Sequence, residues 1–159
     1  MNTDSLLVLA EIGAGFIGFS AVATVLTKNR TELQSFYFKS MVILCIATIW
    51  AALIPTWMEG EFENLWLAST IAMLAIGGLT LPFTVCDLRR IGLEGLKFAG
   101  GAAKAVALVQ LVQLALFFSV FVGWPFEASQ KIYEILICLW LTMAALMFID
   151  YVFVTNEDA

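Results

Sequence analysis

Glu11 is the residue of this sequence with the clearest potential for chemistry. It is a carboxylate inside a run, 6–26, that is otherwise almost wholly apolar. An ionisable side chain in a membrane-spanning helix costs about 2.5–3.5 kcal/mol on insertion scales, so it normally faces protein or water. Glu11, about 8 Å from the outer end of such a helix at about 1.5 Å per residue, is therefore a candidate for binding a proton or a small cation. The alternative is that the helix enters lipid one turn later, which leaves this carboxylate among the headgroups.

Small residues follow Glu11 on the same helical face. Gly15 and Gly18 lie four and seven positions further along the chain, which is the spacing of one face of a helix. Bare glycines let a second helix approach closely in a membrane. Ala72, in the third apolar run, has the same small-residue character. We therefore predict that Gly15, Gly18 and Ala72 pack against other helices.

Glu134 is a second candidate for binding a proton or a cation, because it lies at a similar depth in the last apolar run. Further acidic residues in the connecting segments would add negative charge to the same side: Glu59, Glu61, Glu63 and Glu127. Such a surface concentrates cations. The alternative is that acids predominate there only because the bias in membrane orientation excludes lysine and arginine.

Two glutamines, Gln110 and Gln113, lie three positions apart in the fourth apolar run. We expect both to lie well inside the membrane on one helical face. Buried amides there usually form hydrogen bonds between helices, each worth about 0.6–2 kcal/mol. Interhelical bonding is the favoured interpretation, and a polar pore lining is the alternative.

Five apolar runs must position these side chains: 6–26, 40–57, 65–86, 102–124 and 132–154. Each is close to the roughly 17–25 residues that span a bilayer as a helix. The chain is 62% hydrophobic and 13% charged, far from a soluble composition. We predict an all-α integral membrane bundle of five transmembrane helices that forms a single transmembrane domain over residues 1–159. The first run has no basic residue before it, so we expect it to be retained rather than cleaved as a signal peptide.

Two segments between the runs have signals of their own. Thr31 to Gln34 fits a capping box, which predicts that the second helix begins there. Residues 87–99 combine basic side chains with apolar ones on opposite sides, which indicates an interfacial amphipathic helix. A cytoplasmic extension of the fourth helix or a loop is the alternative for this second segment.

The basic residues predict an orientation. Seven of the eight lysines and arginines fall within segments 28–39 and 87–104, which we therefore assign to the cytoplasm. The amino terminus is then outside and the carboxyl terminus cytoplasmic. Aromatic anchors should then lie at both interfaces, Trp57, Trp66, Trp124 and Tyr133 at the outer one and Tyr37 and Tyr151 at the inner one.

Several function classes are disfavoured. The sequence contains no histidine, so a Ser-His catalytic pair and histidine metal ligation are excluded, and we expect neither an enzyme nor a cofactor. No basic face suited to nucleic acid is present. The three cysteines fall in apolar runs without disulfide or metal spacing, so they are expected to be structural: Cys45, Cys86 and Cys138.

Residues 10–20, AEIGAGFIGFS, form a recognisable pattern. It resembles the opening of small bacterial multi-span inner-membrane proteins, in which an A-E-x-x-x-G-F-x-G-F-like first helix leads to a basic cytoplasmic segment. The resemblance covers about the first 40 residues. It implies location in the inner (plasma) membrane and carries no activity.

Two functional hypotheses follow. The first is a structural, accessory or sensory membrane subunit, which the recurrence of small residues predicts to be a homo-oligomer. The second is a homo-oligomeric channel or carrier for protons or small cations that uses Glu11 with help from Glu134.

Overall fold

The computed structural model describes residues 4–26, 32–80, 101–123 and 128–157. Within them the regular elements are five helices: α1 (Asp4–Leu26), α2 (Glu32–Trp57), α3 (Leu65–Thr80), α4 (Gly101–Val122) and α5 (Gln130–Glu157). Helices α1, α2, α4 and α5 are long and apolar enough to cross a membrane, and α3 is a shorter apolar helix. The predicted all-helical architecture is confirmed for these residues. The remainder of the predicted third span and segment 87–99 lie outside the described residues.

Local signals explain where two of the helices begin. The described part of α2 begins at Glu32, and the predicted capping residue Thr31 lies outside the described residues. At α3, the Asn64 Oδ1 atom accepts a hydrogen bond from the Leu67 backbone N–H at 3.1 Å. At α5, the Ser129 hydroxyl oxygen accepts from the Ile132 N–H at 3.4 Å. Each cap satisfies a backbone donor that has no partner within the first turn of its helix.

Helices α2 and α5 form the central pair of the bundle. Helix α1 packs on both of them, and α4 packs on α5. Helix α3 joins the same core through Trp66 and Met73. The core cluster also contains buried apolar side chains from the other four helices: Leu6, Ala47, Ala51, Ala52, Phe117, Leu136, Ile137, Trp140 and Met143. The end of the bundle at which α1 and α5 begin and α2 ends is called the Trp57 end below.

A hydrogen bond through the core joins the central pair. In an unbroken helix the Ala51 carbonyl would accept from the backbone N–H four residues later, but that residue is Pro55, which has no N–H. The Tyr133 hydroxyl of α5 donates to this carbonyl at 2.6 Å. Tyr133 is fully buried, and its ring lies 5.8 Å from that of Trp66. The tyrosine thus satisfies an acceptor that the proline leaves open.

This burial corrects the prediction that Tyr133 is an interfacial anchor. Its relative exposure is 0%, because its ring and hydroxyl are both used inside the bundle. Trp57, by contrast, is 60% exposed at the end of α2, which agrees with the exposed setting predicted for it.

Gly13 is the glycine at which α1 approaches α2 most closely. A Cβ atom placed there would lie 3.3 Å from the Cys45 carbonyl oxygen and 3.6 Å from Thr48 Cγ2. At Gly15 and Gly18 such an atom would meet nothing within 4 Å. The packing glycine of α1 within the chain is therefore Gly13, while the two predicted packing glycines are open to the outside.

We expect Tyr133→Phe to lower the free energy of unfolding by about 1–2 kcal/mol, because it leaves the buried Ala51 carbonyl without a donor. In the Pro55→Ala background the same substitution should cost less than about 0.5 kcal/mol, since residue 55 then supplies its own N–H to that carbonyl. Titration of mixed micelles with SDS, followed by tryptophan fluorescence, measures both differences. Equal costs in the two backgrounds would contradict the role assigned to the tyrosine hydroxyl.

The two classes of glycine in α1 should respond differently to a large side chain. We expect Gly13→Leu to lower the free energy of unfolding by about 1–3 kcal/mol, because the side chain collides with the α2 backbone. Gly15→Leu should leave it within about 0.5 kcal/mol of the unsubstituted protein, because its position is open. The same SDS titration compares the pair. The packing described for α1 is wrong if Gly15→Leu proves the more damaging change.

Candidate functional site

Glu11 lies on the face of α1 that points away from the rest of the bundle. Its side chain is exposed, and so are Gly15, Gly18 and Val22, which follow it along the same side of the helix. We call these four residues the Glu11 face. The opposite side of α1 is buried against the other helices through Leu6, Gly13 and Ser20. Helix α1 therefore divides its small residues between an inward and an outward side.

Packing between α1 and α2 shows how deep Glu11 lies. Gly13 faces Thr48 of α2, and Trp57 ends that helix about 14 Å further along at about 1.5 Å per residue. Glu11 is about 3 Å nearer the Trp57 end than Gly13. The carboxylate therefore lies about 11 Å along the bundle from the end of α2.

Glu134 occupies a different level and has its own partners. Its Oε1 atom accepts hydrogen bonds from the Ser5 hydroxyl at 2.5 Å and from the Gln130 side-chain amide at 2.8 Å. These bonds tie the first turn of α1 to the beginning of α5. Since Ser5 lies level with Glu134, Glu11 lies about 9 Å deeper than Glu134, and about 15 Å from the start of α5.

The two predicted carboxylates are therefore not brought together. No hydrogen bond or ion pair joins Glu11 to another of the described residues. Glu134 is half-buried, and its hydrogen bond from Ser5 connects α5 to α1. The group that remains available for binding is the Glu11 carboxylate, which points outward beside Gly15 and Gly18.

The two glutamines of α4 point in different directions. Gln110 is exposed, whereas Gln113 is 1% exposed beside the core residue Phe117. The Gln113 Oε1 atom has no hydrogen-bond partner. Burial of Gln113 therefore matches the expectation, but the expected interhelical hydrogen bond is not formed at this oxygen. Ser69 of α3 also holds a buried hydroxyl without a partner.

Most other buried polar side chains satisfy themselves locally. The Ser20 hydroxyl donates to the Phe16 carbonyl at 2.5 Å, and the Thr48 hydroxyl donates to the Leu44 carbonyl at 2.8 Å. Bonds of this kind to the preceding turn neutralise a hydroxyl without another helix. They account for hydroxyl groups in an apolar core and indicate no site.

The structure also gives the positions of the other residues that the sequence singled out. Ala72 is half-buried in α3. Cys45 is buried and Cys138 exposed, and both are free. Among the described residues, no group of three or more Cys, Asp or Glu side chains could hold a metal ion. Neither the inward position of Gly13 nor the Tyr133–Ala51 bond was predicted from the sequence, although a proline inside an apolar run does signal an unsatisfied carbonyl four residues before it.

No protein-family model, no curated protein and no solved structure matches this chain.

Replacing Gln113 tests whether its amide contributes to stability. We expect Gln113→Leu to leave the free energy of unfolding unchanged or to raise it by up to about 1 kcal/mol, because it removes an unpaired buried polar group while keeping a similar volume. Ser69→Ala should behave in the same way. SDS titration gives both values. A loss of more than about 1 kcal/mol for Gln113→Leu would show that the amide has a partner in the membrane, such as bound water.

Proposed function

We propose that this chain is a multi-pass membrane protein that acts as a structural or accessory subunit, and that it binds another protein through the Glu11 face of α1. The proposal includes the orientation expected from the basic residues, with the amino terminus outside and the carboxyl terminus in the cytoplasm. Four helices of sufficient length and apolar character support residence in a membrane. The resemblance of residues 10–20 to bacterial inner-membrane proteins supports the inner membrane as the location.

The outward carboxylate is the observation that carries this proposal. Glu11 lies about 11–15 Å from the ends of α2 and α5 at the Trp57 end, so with Trp57 at the interface it would lie about a third to a half of the way across a hydrocarbon core of about 30 Å. A charge exposed to lipid at that depth is unfavourable by several kcal/mol. Contact with another protein removes that penalty if the partner supplies a hydrogen-bond donor. Gly15 and Gly18 leave space beside it for a close helix contact.

Ion transport through the interior of one copy is less well supported. The buried polar side chains among the described residues are serine, threonine and glutamine, and the Ser20 and Thr48 hydroxyls are bonded within their own helices. Glu11 and Glu134 lie at different levels, and Glu134 is engaged by Ser5. If the protein transports ions, the pathway would therefore run between copies, with Glu11 lining the interface between them.

Photo-cross-linking in native membranes tests the proposal. Val8 and Trp50 are exposed to a similar extent, 52% and 50%, and lie within about 5 Å of each other in depth, but they belong to different helices. With benzoyl-phenylalanine at either position, we expect protein adducts from position 8 and lipid adducts from position 50. Glu11→Leu should abolish the adduct at position 8 without changing the SDS unfolding midpoint, because Glu11 makes no bond to the described residues. Mass spectrometry identifies the adducts.

Three further measurements separate this proposal from its alternatives. Alkaline carbonate should fail to extract the protein, and a reporter fused after Ala159 should be active in the cytoplasm. Purified protein in liposomes should not speed the decay of a proton or potassium gradient. Flux that disappears in Glu11→Gln would establish the transport hypothesis instead, and equal protein adducts at positions 8 and 50 would remove the preference for the Glu11 face.

A further inference from the structure

We infer that the partner of the Glu11 face is α4 of a second copy of this chain, with Glu11 of one copy bonded to Gln110 of the next. This inference rests on the proposed function, because it identifies the protein that covers the Glu11 face. It goes beyond that proposal by naming the partner surface, the register and the type of symmetry.

The two surfaces lie on different flanks of the bundle. Helices α2 and α5 are central, α1 packs on both, α4 packs on α5, and α1 and α4 make no contact with each other within the described residues. Each copy therefore has one flank formed by α1 and another formed by α4. A contact between unlike flanks of neighbouring copies can repeat from copy to copy.

Each flank exposes a long polar side chain within its helix. On α1 it is Glu11, and on α4 it is Gln110. Neither forms a hydrogen bond with another described residue. The exposed hydroxyl of Thr142 on α5 differs, because it donates to the Cys138 carbonyl of its own helix at 2.8 Å. Glu11 and Gln110 therefore both lack a hydrogen-bond partner among the described residues.

The chemistry of the pair is complementary. The Gln110 amide offers N–H donors, and the Glu11 carboxylate offers acceptor oxygens. A symmetric contact between two α1 helices would instead place two Glu11 carboxylates together, and like charges at close range repel. The match of hydrogen-bond donor to acceptor, without repulsion between like charges, thus favours α4 over a second α1 as the occupant.

The levels of the two residues agree. Gln110 lies about 18 Å from Val122, the end of α4, at about 1.5 Å per residue. Helix α4 ends close to the start of α5, so this distance is measured from the Trp57 end of the bundle, as are the 11–15 Å of Glu11. The difference of about 3–7 Å is within the reach of two extended side chains and a modest helix tilt.

The flanking residues also match when this pair is aligned. Helix α4 is antiparallel to α5, because the two are joined by a short connection, and it is therefore antiparallel to α1 of a neighbour in the same orientation. Toward the Trp57 end, the exposed Leu114 then lies opposite Val8. In the other direction, exposed Ala107 lies opposite Gly15, which allows a close small-residue contact.

Disulfide cross-linking tests this register without disturbing the polar pair. The background carries alanine in place of Cys45, Cys86 and Cys138. Two differently tagged chains, one with Val8→Cys and one with Leu114→Cys, are co-expressed and oxidised in membranes. We expect a dimer that carries both tags, at a yield at least about fivefold above that of the control pair Val8→Cys with Ile135→Cys, whose second position is equally exposed but lies on α5. If the cysteine-free chain fails to fold, buried Cys45 is retained.

The polar pair is then tested within this assay. Glu11→Leu should lower the yield of the mixed dimer about fivefold, whereas Glu11→Gln should keep it within about twofold, because an amide also bonds to Gln110. A Val8→Cys dimer of one tag only, or a yield equal to the control, would overturn the inference. If position 8 still forms photo-adducts with a different protein in that case, the proposed function stands and only the identity of the partner is wrong.

Discussion

The hydrogen bond from the Tyr133 hydroxyl to the Ala51 carbonyl is the interaction on which the arrangement of the bundle depends most. It crosses between α2 and α5, the pair against which α1 and α4 pack. In an apolar interior a carbonyl without a donor is costly, and no water is present to replace one. Pro55 creates that requirement in α2, and the buried tyrosine meets it. Because a hydrogen bond is directional, it sets the register of the central pair more narrowly than apolar contact alone would.

The other polar groups follow the same constraint in different ways. Ser20 and Thr48 return their hydroxyls to their own helices, and Glu134 is held by two donors at the Trp57 end. Gln113 is the exception inside the bundle, since its oxygen is buried and unpaired. Glu11 is the exception outside it. Most of these polar groups have a hydrogen-bond partner within the chain. The groups without one indicate where another molecule could bind, because a new partner stabilises an unpaired polar group most.

Much of the helical architecture could be predicted from the sequence, and the reason is physical. Apolar runs of membrane-spanning length must be helical, because only internal hydrogen bonds satisfy a backbone in lipid. Which side of each helix faces the core was harder to predict. Leucine and phenylalanine occur on both the inward and the outward sides of α1, so apolar periodicity does not show which glycines face the core.

The sequence identified Glu11 as the key residue of the candidate site, but it did not predict the distances between the residues or their partners. Glu11 was identified because a carboxylate in an apolar run is rare, and that argument needs no structure. Its separation from Glu134 follows from the alignment of Ser5 with Glu134, which is a long-range contact that no local pattern encodes. Tyr133 was assigned to an interface for a related reason. Aromatic residues near the ends of spans are usually anchors, and only the position of Pro55 on another helix makes this one a core residue.

Helix α1 illustrates how one segment can serve two contacts. Gly13 accommodates the backbone of α2, and its position inside the bundle follows from that close approach. Gly15 and Gly18 have no neighbour within 4 Å of a Cβ position, so their lack of a side chain contributes nothing to packing within the chain. Glycine in the interior of a helix is unfavourable by about 1 kcal/mol relative to alanine. Two such residues beside an outward carboxylate are what the proposed contact would use, because a helix of a neighbouring copy can approach α1 closely only where side chains are small.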